Sequence, residues 1–418
     1  RVKTSMLEIY NNSANFCKRK QLVNLHLIKI NKMGDNQDKK MELMSPVGSY
    51  EALHAAIKGG CDSVYFGVGQ LNMRAVASNN FEVSDLEKLS KICKTAGIKS
   101  YVTLNTILYD HDMNLMKQIV NECKKQQISA IIASDPAAMA YIKQSGIPLH
   151  ISTQANVTNI ETVNYYALFA DVMVMARELT LKQVKQITTQ IKRENITGPS
   201  GNLIEIEIFG HGALCMAVSG KCYLSLHSHN SSANRGACIQ NCRREYKVTD
   251  KEGDVDLLID NEYIMSAKDL CTIGFLDEIM NAGVKVLKIE GRGKAADYVY
   301  TTTKCYREAI DSITEKTYNL DKIKAWEEKL ATVFNRGFWD GYYLGRKMGE
   351  WSKDYGSIYE LKQSLKESLD LRPDSKEIRG LSALQVGLPV RAVYLEYTSG
   401  ETEKSIILTD PDIELILE

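Results

Sequence analysis

Cys215, Cys222, Cys238 and Cys242 follow one another at spacings C-x6-C-x15-C-x3-C, which puts four of the chain's ten cysteines within 28 residues. Thiols bind metals as thiolates, and Lys221, Arg235, Arg243 and Arg244 lie close enough in sequence to favour that form. The stretch between the second and third cysteines is rich in Ser, Asn and His and has no apolar periodicity. Such a segment buries little surface of its own, so something must offset the entropy of ordering it. A thiolate-held metal centre would do so; a pair of disulfides, or unrelated small core residues, are the plain alternatives. Structural zinc takes its ligands in close pairs, and only Cys238 and Cys242 are spaced that way. A four-thiolate iron–sulfur cluster asks only that its cysteines converge in space. His211, His227 or His229 could replace one thiol, and Cys271 is a rival fourth ligand. Cys61, Cys93, Cys123 and Cys305 fall in helical patterns and read as small buried hydrophobes.

The elements that must position these residues show a steady rhythm. From Glu42 onward, short β-type runs at 42–45, 63–68, 99–106, 129–134, 149–153, 171–176, 204–210 and 285–291 alternate with segments carrying apolar residues at i, i+3 and i+4. Several helical segments end in glycine just before the next strand, at Gly60, Gly97, Gly146 and Gly283. Eight strand–helix units predict a (β/α)8 barrel, an α/β fold of the TIM type. The competing doubly wound sheet lacks a G-x-G-x-x-G after the first strand. The seventh unit breaks the rhythm: the cysteine stretch follows its strand directly, so the insertion, 211–262, emerges where such barrels carry their chemistry. YIMSAKDL (263–270) reads as an inner or hairpin strand leading to a helix.

Strand ends supply the remaining candidates. Arg74 and Asn72 follow the second strand, Asn105 the third, Asp135 the fourth, Gln154 and Asn156 the fifth, Arg177 and Glu178 the sixth, His211 the seventh, Glu290 and Arg292 the eighth. Any one of these could be a helix cap or a rim ion pair. Arg74, Arg177 and Arg292 converging from different strands would suit a small anion such as a dicarboxylate, because guanidinium groups grip carboxylates in bidentate fashion. The segment KIEGRGK, beginning at Lys288, is a Gly-flanked basic turn before a helix, where barrels often hold a phosphate.

Balanced charge, 52 basic against 52 acidic residues, argues against a surface coated for bulk nucleic-acid binding but leaves room for a local basic face. No apolar run is long enough to span a membrane, and thiols without a secretory segment point to a reducing, cytoplasmic setting. Residues 1–40, with nine Lys/Arg and three Asp/Glu, read as a disordered leader or spurious upstream sequence. Residues 41–350 form the barrel with its insertion. The aromatic turn FNRGFWDGYYLG within them covers a barrel end or offers stacking surfaces, and 351–418 reads as a linker and a partial β-rich module.

EIFGHGALCMAVSGKCYLS (207–225), the opening MELMSPVGSYEALHAAIKGGCDSVYFG, STQANVTN, NRGACIQNCRREY and KVLKIEGR resemble the collagenase-like family of peptidases of unknown catalytic type, over roughly residues 41–345. The resemblance implies one of several activities. The family's historical label is collagenase-like peptidase, yet its bacterial branches include oxygen-independent hydroxylation proteins. One resembles the makers of 5-hydroxyuridine at the tRNA wobble position, using prephenate; others act on 23S rRNA or on a quinone precursor. It also implies a [4Fe-4S] cluster on Cys215, Cys222 and Cys238. Cys242 is preferred to Cys271 as the fourth ligand because the C-x3-C pair matches the RNA-modifying pattern better. Zinc is the alternative cofactor.

On this reading His211, Glu178 and Glu290 are the proton-transfer candidates. Arg74, Arg177 and Arg292 hold a prephenate-like donor, with Asn105, Gln154, Asn156 and Lys288 also at the substrate. The expected partners are tRNA or another RNA, the small anion and, as in one heterodimeric branch, a protein; no membrane contact is expected. A peptidase reading finds no H-E-x-x-H helix and no G-x-S-x-G elbow. A Cys215–His211 dyad would need a thiol free of the cluster. A non-catalytic, metal-pinned binding protein is the remaining alternative.

Overall fold

The computed structural model describes residues 41–76, 80–246, 263 and 265–345, and the backbone of three strands near the C-terminus. The readings of 1–40, of most of the linker after 350 and of 247–262 fall outside the described residues.

Seven strands, β1 (Glu42–Pro46), β2 (Ser63–Gly67), β3 (Lys99–Leu104), β4 (Ala130–Ala133), β5 (Leu149–Ile151), β6 (Val172–Val174) and β7 (Glu205–Gly212), pair in parallel in chain order. A short β8 (Asp269–Cys271) follows, then β9 (Val286–Ile289), which pairs in parallel with both β1 and β7. β1 to β7 and β9 therefore close an eight-stranded parallel barrel. β8 is not a stave: it runs antiparallel to the end of β7 and takes β10 (Phe338–Trp339) as its other neighbour.

The outer layer is α1 (Tyr50–Gly59), α2 (Leu86–Thr95), α3 (Met113–Lys125), α4 (Pro136–Ser145), α5 (Ile160–Tyr166) and α6 (Leu181–Glu194). After the insertion, which holds α7 (Leu224–His229), come α8 (Leu276–Asn281), α9 (Ala296–Thr314) and α10 (Leu320–Ala331). Local sequence sets their limits. Ser49, Asp135, Asn159, Thr180 and Asn319 accept a backbone N–H at helix starts, and Gly60 and Gly146 end α1 and α4 with left-handed backbone. Asp135 is thereby a cap, its second oxygen accepting from the Leu108 N–H at 3.0 Å. Cys61, Cys93, Cys123 and Cys305 are buried among apolar neighbours, and burial raises each thiol's pKa.

Most of the core lies between barrel and helices. Inside the barrel, Met44, Tyr65, Tyr101, Ala130, Ile132, Val172 and Val286 form a smaller apolar layer, flanked by charges. Lys288 donates to Glu207 at 2.8 Å, both nearly inaccessible, and Tyr101 donates to Glu42 at 2.7 Å. Burial holds the Glu207 carboxyl above its usual range, against the pull of Lys288. The aromatic turn packs rather than displays: Trp339 and Tyr343 are buried, and Tyr343 donates to the Phe209 carbonyl at 2.8 Å. Near the C-terminus, strands β11 (Val393–Ser399), β12 (Thr402–Leu408) and β13 (Ile416–Leu417) pair antiparallel. Among the described residues no helix is long and apolar enough to cross a membrane.

Candidate active site at the barrel mouth

Glu290 stands at the end of β9 with three arginines around it. Arg74, from the loop after β2, reaches one carboxylate oxygen at 2.9 Å; Arg177, after β6, lies 3.9 Å from the other. Arg292 donates at 3.0 Å to both Asn72 and Thr103 and is near enough for its charge to act on Glu290. The Tyr65 hydroxyl bonds the Ile289 carbonyl at 2.9 Å and lies 3.4 Å from the carboxylate. Burial alone would raise the Glu290 pKa, but the arginine charges outweigh it and keep the group below its usual range. Burial pushes Arg292 down to about 10, whereas Glu290 raises Arg74. Three guanidinium groups from different strands thus gather around one carboxylate. Arg177 also stacks on Phe209, 3.8 Å from the ring centroid, and donates to the Ala213 carbonyl.

The rim residues knit the loops together. Asn105 accepts from the Met73 N–H and donates to Ser152 and Gln154, and Ser152 in turn bonds Gln154. Asn156, left-handed at φ 56°, accepts from the Ser219 hydroxyl at 2.7 Å, and Glu178 accepts from the Ser219 N–H at 3.2 Å. Glu178 and Asn156 thus brace the cysteine loop at Ser219.

The insertion is tied down at both ends by Arg243, which is buried and donates to Leu214, Ser266 and Ala267 at 2.7–2.9 Å. Cys215 is exposed; Cys222, Cys238, Cys242 and Cys271 are half-buried, and none of the five is in a disulfide. Burial pushes the Cys242 thiol up to about 11, and Cys215, Cys238 and Cys222 are close enough to raise it further. The Leu224 N–H points at the Cys222 sulfur, 3.4 Å away. Among the described residues no three His, Cys, Asp or Glu side chains are grouped so as to hold one metal ion. Cys215, Cys222 and Cys238 all lie near enough to Cys242 for their charges to act on it.

Two candidates, His211 and Lys288, lie elsewhere than expected. His211 does not face the mouth. A register shift between Phe209 and His211 turns it outward, where its ring packs against Tyr298, Tyr306 and Phe338. Its Nδ1 lies 3.3 Å from the Tyr306 hydroxyl, and burial lowers its pKa to about 4. It is a neutral core histidine, and its hydrogen bond is to Tyr306 rather than to Cys215. Lys288 does not belong to an anion-binding turn: it points into the barrel, paired with Glu207 beneath the Tyr65 ring. Glu290, expected as a proton carrier, is at the mouth and contacts Arg74 and Arg177. Cys271 sits on β8 opposite His211, apart from the loop that carries the other four thiols.

Sequence reasoning passed over Tyr65 and Ser219, and read Arg243 only as a charge beside the thiols rather than as a tie of the insertion. Tyr65 could have been found from its inward phase in SVYFG and Arg243 from its place directly after a loop cysteine; nothing local marks Ser219, whose backbone is left-handed at φ 50°.

Fold and site together define a parallel (β/α)8 barrel whose seventh loop holds thiols over a polycationic mouth. The chain belongs to peptidase family U32, whose model matches residues 48–353. It is 58% identical over 316 residues to a protein named collagenase from Porphyromonas gingivalis strain W83, covering 76% of each chain. It is 30% identical over 314 residues to tRNA hydroxylation protein P1 of Bacillus subtilis, covering 73% of this chain and 72% of that one. It is also 32% identical over 321 residues to a 23S rRNA 5-hydroxycytidine synthase of Escherichia coli, covering 74% of this chain and 46% of that one.

Proposed function

We propose that this protein is an enzyme that hydroxylates RNA without molecular oxygen, with a uridine of tRNA as its substrate base and a small prephenate-like dicarboxylate as hydroxyl donor. The observation that carries the reading is the cage of Arg74, Arg177 and Arg292 around Glu290, next to the cysteine loop, whose Cys215 and Cys238 lie near enough to act on Arg74. Guanidinium groups gathered from three strands suit the carboxylates of a small anion. The RNA-modifying relatives supply the substrate class.

Cys215, Cys222, Cys238 and Cys242 would hold a [4Fe-4S] cluster, which supplies one-electron chemistry when bound. The protein's own residues do the rest. Arg74 and Arg177 meet the donor's carboxylates; Glu290 keeps both guanidinium groups aimed while the site is empty. Arg292, fixed by Asn72 and Thr103, lines the wall. Glu178 and Asn156 hold the thiol loop over the mouth, so that base and donor meet in a space shielded from water.

The test is nucleoside mass spectrometry of tRNA and rRNA from a deletion strain complemented with wild type or Cys215→Ala. Loss of 5-hydroxyuridine derivatives, restored by wild type alone, is expected. Unchanged levels of both 5-hydroxyuridine and 5-hydroxycytidine would overturn the proposal. The 58% identity to a protein named collagenase favours a second reading, peptidase activity. Gelatin cleavage that survives both Cys215→Ala and Cys238→Ala would establish that reading.

A further inference from the structure

Six of the ten large hydrophobic side chains exposed among the described residues sit on just three loops at the mouth. They are Val76 after β2, Ile107 and Tyr109 after β3, and Val218, Tyr223 and Leu224 after β7. These loops form one surface, because residues 234–236 of the insertion bridge the other two. The Val76 N–H bonds the Gly236 carbonyl at 3.2 Å, and the Ile107 N–H bonds the Asn234 carbonyl at 3.0 Å. Arg235 donates to the Ile107 carbonyl and to Asp112, and its guanidinium lies 4.1 Å from the centroid of the Tyr109 ring, which is still 53% exposed. Tyr223, next to Cys222, is 73% exposed.

The charge of the same segment is one-sided. Residues 208–244 contain four Lys or Arg and no Asp or Glu, in a chain whose formal charge is zero. Lys221 and Arg244 are exposed. Single aromatics set among cations, rather than a continuous apolar patch, match a phosphate backbone with bases splayed from it. A protein interface of the usual kind would have a more contiguous apolar centre.

We infer that these three loops form a stacking platform for unpaired RNA, with one base on the Tyr109–Arg235 pair and another on Tyr223 beside the thiol loop. This rests on the RNA reading above and assigns the surface that reading needs. Lys221 and Arg244 would meet phosphates, contributing affinity without sequence preference.

The test is fluorescence anisotropy of the full chain with a labelled hairpin RNA carrying a uridine-rich loop, at low and moderate salt. Tyr109→Ala and Tyr223→Ala are each expected to weaken binding about tenfold, within the range for loss of one stacked base. Tyr109→Phe and Tyr223→Phe should restore it. Lys221→Ala and Arg244→Ala should weaken binding on any loop sequence and flatten its salt dependence. Tyr165→Ala, an equally exposed aromatic on α5, should change nothing. Wild-type affinity in both alanine variants would overturn the platform and leave the RNA reading standing. No binding of the RNA by wild type would remove both. A Tyr223→Ala variant that binds RNA normally but loses self-association in sedimentation would assign the patch to a protein contact instead.

Discussion

Burying Glu290 is costly unless its charge is met, and Arg74, Arg177, Arg292 and the Tyr65 hydroxyl together meet it. The converse holds as well: without the carboxylate, three guanidinium groups would face one another in a confined space. Glu290→Gln keeps the shape and removes the charge. It is expected to cost about 3 kcal/mol in denaturant unfolding, the low end for breaking a buried pair because Arg74 is 30% exposed. The sign of the pH effect follows from the direction of the shift. A carboxylate held below its ordinary value of 4.5 contributes stability above that value and loses it as pH falls through the folded value. The gap between wild type and variant should therefore be full at neutral pH and narrow on acidification. A gap that stays constant down to pH 3 would mean that Glu290 is not held by charge.

At the scale of elements, β7 decides what enters the mouth. Strand alternation places Glu207 and Phe209 inward, and simple continuation would put His211 there too. The irregularity at Gly210 ends that phase, and a Cβ at this position would lie 2.6 Å from Leu287. The eight strand positions were legible in the sequence because apolar runs and glycine-terminated helices recur with one period. The bulge was not, since it changes no residue count that periodicity can detect. Lys288 went astray for a related reason: its neighbours Gly291, Arg292 and Gly293 suggest a turn, while its strand parity commits it to the interior. The convergence of Arg74, Arg177 and Arg292 was legible, because each follows a different barrel strand at the same end.

The insertion rests on a different contact. Gly236, at φ +83°, lies so close to the β2 loop that a Cβ would meet the Asn72 carbonyl at 2.2 Å. Gly236→Ala should lift the insertion off that loop while leaving the barrel folded. Limited proteolysis should then cut between Cys222 and Cys238 several-fold faster than in wild type, with the main thermal transition little changed. Equal cleavage rates would show that the insertion is held elsewhere.

For the molecule as a whole, barrel and insertion are stabilised by different means. The barrel has an apolar shell between strands and helices, with Leu43, Phe66, Leu104, Ile131 and Tyr306 fully buried. Among the described residues of the insertion, Leu214 packs with Ala267 and Trp339, and Arg243 bonds the Leu214 and Ala267 carbonyls. The described part of the insertion is held by these contacts, by the ties at Ser219 and at residues 234–236 and, on the proposed reading, by the group its thiols would hold. Cys238→Ser, or chelation of anaerobically purified protein, should therefore leave the barrel's unfolding midpoint nearly unchanged. Either treatment should expose 215–244 to protease and abolish hairpin-RNA binding, because the platform loops after β2 and β3 are bridged by residues 234–236. The two readouts should move together while far-ultraviolet circular dichroism stays constant. If instead chelation unfolds the barrel in one cooperative step, the thiol-held group stabilises the entire fold and the division into a self-sufficient barrel and a dependent loop is wrong.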